Sequence, residues 1–129
     1  MKRIFAILLI LVLLLSACGT TSVNQGEAVT LTFIYCDQNI QVELKSEEAQ
    51  KVIDILDGNS YDPVFAGTPS CGFDENISLK VGGQVFAIAC DTCNYIQTVD
   101  GARYFSISQT DMEYIRALFA QYGGYFPCV

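Results

Sequence analysis

The chain has no histidine and no tryptophan. Losing histidine removes both the commonest general base near neutral pH and the commonest metal ligand. Basic residues are also scarce, with 7 Lys and Arg against 14 Asp and Glu. An acidic surface repels phosphate backbones, so nucleic acid is not an expected partner. No Gly-x-Gly-x-x-Gly or Gly-x-Ser-x-Gly element and no calcium loop of the Asp-x-Asp-x-Asp-Gly type occurs, so no nucleotide, hydrolase or calcium chemistry is announced. The one long apolar run, Ile4 to Leu15, is also too short to span a bilayer. Spanning takes about 20 residues.

That run nevertheless carries information. Lys2 and Arg3 precede it, and Ser16-Ala17-Cys18-Gly19 follows. A basic start, a short apolar core and a small-residue end form the pattern of a secretory signal peptide. Leu15-Ser16-Ala17-Cys18 resembles the lipobox of bacterial lipoproteins: an aliphatic residue, two small residues and a cysteine. The resemblance covers residues 1–19 and implies cleavage between Ala17 and Cys18, with a diacylglyceryl group on the Cys18 thiol. Two acyl chains anchor stably where one does so only marginally. The implied localisation is a cell membrane or outer membrane, on its extracytoplasmic face.

Residues 1–17 are thus the expected signal peptide, 18–28 a lipidated cysteine with a flexible tether, and 29–129 a single domain. Lys2 and Arg3 leave with the signal, so the mature chain keeps five basic residues against 14 acidic ones, a charge of −9. The run GTTSVNQGEA from Gly19 to Ala28 is polar and small, and as a flexible coil would reach roughly 17 Å.

From Thr30 the apolar period is two. Leu31, Phe33 and Tyr35, then Ile40, Val42 and Leu44, predict a hairpin with one buried face. Placing its turn at Gln38-Asn39 pairs Tyr35 with Val42 and Phe33 with Leu44. Ser46 reads as a helix cap, Ala49, Val52, Ile53 and Leu56 as a helical stripe, and Gly58 as its stop. Residues 59–71, with Pro63, Gly67 and Pro69, read as an irregular loop. Gly82-Gly83 joins a second hairpin, in which Val81 faces Gln84, Leu79 faces Phe86 and Ile77 faces Ile88. Asp100-Gly101 joins a third. Thr110 and Glu113 suggest a capping box before the stripe Ile115, Leu118, Phe119 and Tyr122. The order ββα then ββββα predicts an α+β domain: an antiparallel sheet of five or six strands, with two amphipathic helices on one face.

Five cysteines remain after Cys18: Cys36, Cys71, Cys90, Cys93 and Cys128. An extracytoplasmic compartment favours structural disulfides. Two alternatives stand beside that reading: a redox Cys90-x-x-Cys93, and a zinc site of Cys71, Cys90, Cys93 and Cys128. A reactive Cys-x-x-Cys normally opens a helix, whereas this one follows a strand beside Asp91. Structural zinc favours two close cysteine pairs, and the sequence has one. Extending the Gly82-Gly83 ladder puts Gly72 opposite Cys93, so Cys71–Cys93 is the expected bond. Cys90 falls on the core face, as a buried thiol or the partner of Cys128. Cys36 is the candidate free thiol unless it meets the Cys128 tail.

Tyr95, Gln97 and Tyr104 fall on the sheet face opposite Ile96, Phe105 and Ile107. Tyrosine gives contact area at low entropy cost, so they mark a candidate binding face. They also simply suit half-buried strands. The tail YGGYFPC and the stretch from Cys71 to Cys93 resemble small bacterial lipoproteins, from which no function carries over. The expectation is a lipid-anchored, non-catalytic domain needing no cofactor and no metal. It would bind an envelope protein or a small ligand, the alternative being a thiol-redox or metal-handling lipoprotein using Cys90 and Cys93.

Overall fold

A computed structural model describes residues 19–123 together with Ile4 and Ile7. The proposed anchor Cys18 and the tail cysteine Cys128 lie outside the described residues.

Six strands form one sheet: β1 (Val29–Tyr35), β2 (Gln38–Glu43), β3 (Phe73–Val81), β4 (Gln84–Ala89), β5 (Tyr95–Thr98) and β6 (Arg103–Ser106). Two α-helices pack with them among residues 19–123, α1 (Ser46–Leu56) and α2 (Gln109–Gln121). The strand order is β2-β1-β3-β4-β5-β6, and every neighbouring pair is antiparallel. Leu31, Leu79, Phe86, Ile88, Ile96 and Phe105 are buried in one cluster with Val52, Ile53 and Leu56 of α1 and Met112, Ile115 and Phe119 of α2. Both helices therefore cover one face of the sheet, and the protein is a two-layer α+β domain.

Three local expectations need correction. The first hairpin turns at Cys36-Asp37, so Phe33 faces Ile40 and Leu31 faces Val42, not Leu44 and Tyr35. Both turn residues have positive φ, 49° and 61°, the signature of the two-residue turn that matches strand twist. Asp37 tolerates that conformation, as Asn39 would have, so residue preference alone does not separate the two turns.

The second correction is a bulge. Val81 faces Gln84 and Leu79 faces Phe86 as expected, but Ser78 opposes Ala87 while Phe73 already opposes Ala89. Strand β3 thus spends three extra residues before Ser78, and the expected step of Ile77 onto Ile88 is absent from the ladder. Asp74 supports the bulge: its Oδ1 accepts from both the backbone and side-chain amides of Asn76, each at 2.9 Å. A side chain that bonds the backbone two residues on competes with the ladder.

The helix caps are the third. Lys45, not Ser46, holds the N-cap of α1, and Glu48 accepts from the Lys45 amide at 3.3 Å. In α2 the cap is Ser108, whose Oγ accepts from the Asp111 amide at 3.1 Å, and Thr110 is already helical. Both helices also hold acids in the first turn, Glu47 and Glu48 in α1 and Asp111 in α2, where the helix dipole favours them.

The segment expected as a flexible tether is instead stitched to the domain. Thr21 and Val23 are only 2% and 5% exposed. The Thr21 amide donates to Asn59 O at 2.8 Å, Gly58 N donates to Thr21 O at 2.9 Å, and Tyr61 N donates to Gly19 O at 3.2 Å. Val23 N donates to Asp57 Oδ1 at 2.8 Å, and Gln84 Nε2 donates to Ser22 O at 2.9 Å. The segment has no helical or strand periodicity, so its partners at 57–61 are invisible to a local reading.

Candidate functional site

Two places gather polar chemistry, and both border the loop joining α1 to β3. The first is the disulfide corner. Cys71 and Cys93 are bonded, with Cα atoms 6.1 Å apart. The bulge shifts the ladder, so Gly72 meets Cys90, whose amide donates to Gly72 O at 2.8 Å. Asp91 then brings Cys93 back: its Oδ1 accepts from Cys93 N at 2.9 Å, and its Oδ2 from Gly72 N at 3.4 Å. Arg116 of α2 clamps the same turn by donating Nη2 to the carbonyls of Asp91 and Cys93.

Cys71, Asp91 and Cys93 offer three ligand-type atoms within 4.8 Å of one another. The two sulfurs are spent on each other, so the trio presents one carboxylate and no thiolate, a poor donor set for zinc. Cys90 is buried on the core face, its Sγ 3.9 Å from Ile88 O. Cys93 therefore pairs with Cys71 and not with Cys90, and this geometry lends the Cys-x-x-Cys reading no support. Cys36 is exposed on its turn and makes no disulfide among the described residues.

The second place is the edge strand β6. Tyr61 lies on the helix side, its ring 5.9 Å from Phe105 and beneath the Arg103 guanidinium at 4.7 Å. One residue later the chain meets the edge: Asp62 N donates to Tyr104 O at 2.7 Å. Asp62 then reaches Tyr95 on the other face. Burial pushes the Tyr95 phenol up from its usual range, and the Asp62 carboxylate adds to the shift. Residues 62–71 thus wrap the edge and border the tyrosine face. Two clefts of about 310 and 340 Å³ flank the loop. Asp62, Gly67, Arg103 and Tyr104 line the first; Asp62, Gly67, Cys71 and Tyr95 line the second.

The sequence reading located Tyr95, Gln97 and Tyr104 correctly, away from the helices. Gln97 donates to the Tyr104 hydroxyl at 3.2 Å, and Phe73 packs 5.4 Å from the Tyr104 ring. It gave Asp62 and Arg103 no role, and it read residues 59–71 as an irregular loop without placing that loop at the sheet edge. One signal was present: Val64-Phe65, an apolar pair between Pro63 and Gly67 in an otherwise polar stretch.

No family model, curated protein or solved structure matches this chain. The functional reading therefore stands on the residues alone. The clefts combine a cation, a carboxylate, two phenols and glycine backbone, a set suited to holding a polar group by hydrogen bonds and charge.

Proposed function

We propose that this chain is a membrane-anchored extracytoplasmic lipoprotein whose folded domain binds a small polar ligand or an envelope protein without catalysing a reaction. The observation that carries the anchoring is Leu15-Ser16-Ala17-Cys18 at the end of a short apolar core. No helix among the described residues is long and apolar enough to cross a membrane, so attachment would rest on lipid at Cys18. The clefts beside Asp62, Arg103, Tyr95 and Tyr104 support the binding role. At about 310 and 340 Å³ they lie at the lower end of the size range of small-molecule sites, roughly 300–1,000 Å³.

Anchoring is tested by intact mass of protein from the membrane fraction. The expected product begins at Cys18 and carries added diacylglyceryl mass, and Cys18→Ala blocks both lipidation and cleavage. Unmodified full-length protein would refute it. The alternative, a thiol-redox or metal-handling lipoprotein using Cys90 and Cys93, is separated by counting free thiols and bound metal on the purified protein. Binding at the cleft predicts that a ligand found by thermal shift loses its effect in Arg103→Gln and Asp62→Asn.

A further inference from the structure

Val64 and Phe65 are 81% and 92% exposed, more than the other large apolar side chains described. Their 3-10 turn, Val64–Ala66, has no buried residue. Holding two such groups in water is unfavourable, and single exposed apolar residues are ordinary, but an adjacent pair on one turn is a more specific feature.

Its position is fixed by contacts already described. Tyr61 N donates to Gly19 O at 3.2 Å, and Thr20 bridges Ser60. Phe65 is four residues beyond Tyr61, and Cys18 one residue before Gly19. Consecutive Cα atoms are about 3.8 Å apart, so with the Gly19–Tyr61 hydrogen bond included Phe65 lies within roughly 26 Å of the anchor position by chain length alone. The turn itself carries no charge, since residues 63–73 contain no charged side chain, although Asp62 borders it.

We infer that Val64 and Phe65 form a wedge that enters the interfacial layer of the bilayer beside the lipid on Cys18 and sets the orientation of the domain. The inference rests on the lipid-anchor reading and adds a contact that reading does not require. The lipid supplies the affinity, since two acyl chains already anchor stably. The wedge supplies direction, holding the β6 edge toward the bilayer and the β1–β2 hairpin away from it. Tyr35 on that hairpin is exposed. It lies four strand spacings from β6, roughly 19 Å at the usual 4.7–4.9 Å separation.

The chain has no tryptophan, so a single introduced one is a clean reporter. Phe65→Trp and Tyr35→Trp are expressed as the full precursor, purified from membranes, checked by intact mass for lipid, and placed in phosphatidylcholine vesicles with or without brominated acyl chains. The expected result is blue-shifted emission and several-fold quenching by brominated lipid at position 65, with neither at position 35. Val64→Ser/Phe65→Ser should remain in the detergent phase, because the lipid is untouched. If the mass lacks lipid, the anchor reading fails and the wedge falls with it. If the lipid is present and position 65 emits as in water, or both positions quench alike, the wedge is refuted while the anchor stands. Shielding of position 65 by a co-purifying protein instead of lipid would likewise refute it.

Discussion

Tyr122 donates its hydroxyl to Glu48 Oε2 at 2.6 Å, joining the last turn of α2 to the first turn of α1. Gln121 donates to the other oxygen of the same carboxylate at 3.0 Å. The Tyr122 hydrogen bond holds the Glu48 carboxyl below its ordinary range; burial opposes it, and the hydrogen bonds from Gln121 and the Lys45 amide add to the lowering. A depressed folded-state pKa contributes stability above the unfolded pKa, and that contribution is lost as pH falls through the folded value. Tyr122→Phe should therefore lower the melting temperature by a few degrees at neutral pH and by almost nothing in strongly acidic buffer. A deficit equal at both pH values would refute this linkage.

The Cys71–Cys93 bond spans 22 residues of chain. A crosslink closing a loop of that size stabilises by about 3 kcal/mol in the chain-entropy model. Cys71→Ser/Cys93→Ser should lower urea stability by roughly that amount. Peptide mapping without reduction should recover Cys71 linked to Cys93. A fragment joining Cys90 to Cys93 would contradict the structure.

Thr21 ties the N-terminal segment down twice. Its hydroxyl donates to Leu56 O and accepts from Asn59 N at 2.8 Å. Thr21→Val keeps the shape and leaves a buried donor unsatisfied, which costs roughly 1–3 kcal/mol. The variant should also be cut sooner by protease within 19–28 than the parent. Unchanged protection across that segment would show that the backbone bonds to residues 58–61 suffice.

Thr32 and Ser78 oppose each other in register, are buried, and their hydroxyls have no hydrogen-bond partner among the described residues. Desolvating a hydroxyl without a partner is unfavourable, and an isosteric apolar group avoids it. Thr32→Val is expected to stabilise the domain by about 1 kcal/mol, read as a higher urea midpoint at unchanged slope. A lower midpoint would mean that the hydroxyl finds a partner outside residues 19–123.

The strand and helix order was legible because each element carries its own period: alternation in Leu31-Phe33 and Leu79-Val81, the helical stripe in Ala49-Val52-Ile53-Leu56. The first hairpin's register was not. Moving its turn from Gln38-Asn39 to Cys36-Asp37 changes each partner by an even number, so the same residues face the core either way. Hydrophobic pattern therefore cannot decide between them, and each candidate turn holds one residue suited to positive φ. The bulge at Asp74 escaped for a related reason: an Asx contact leaves no mark on apolar spacing. The disulfide expectation matches the structure although the ladder beneath it was three residues out of step, because the turn built by Asp91 returns Cys93 to Cys71. Asp62 and Arg103 were illegible because their meaning comes from a loop passing around a sheet edge, a non-local event.

Stitching Gly19 and Thr21 to residues 58–61 leaves almost no stalk between the proposed lipidation position and the fold. A domain of about 100 residues has a radius of gyration near 13 Å. Carried on lipid at Cys18, such a body would patrol a layer a few nanometres deep, meeting partners by lateral diffusion in two dimensions. If the proposed anchor holds, a target in the same membrane, or resting on it, would fall within that layer; one farther out would have to come to the surface first.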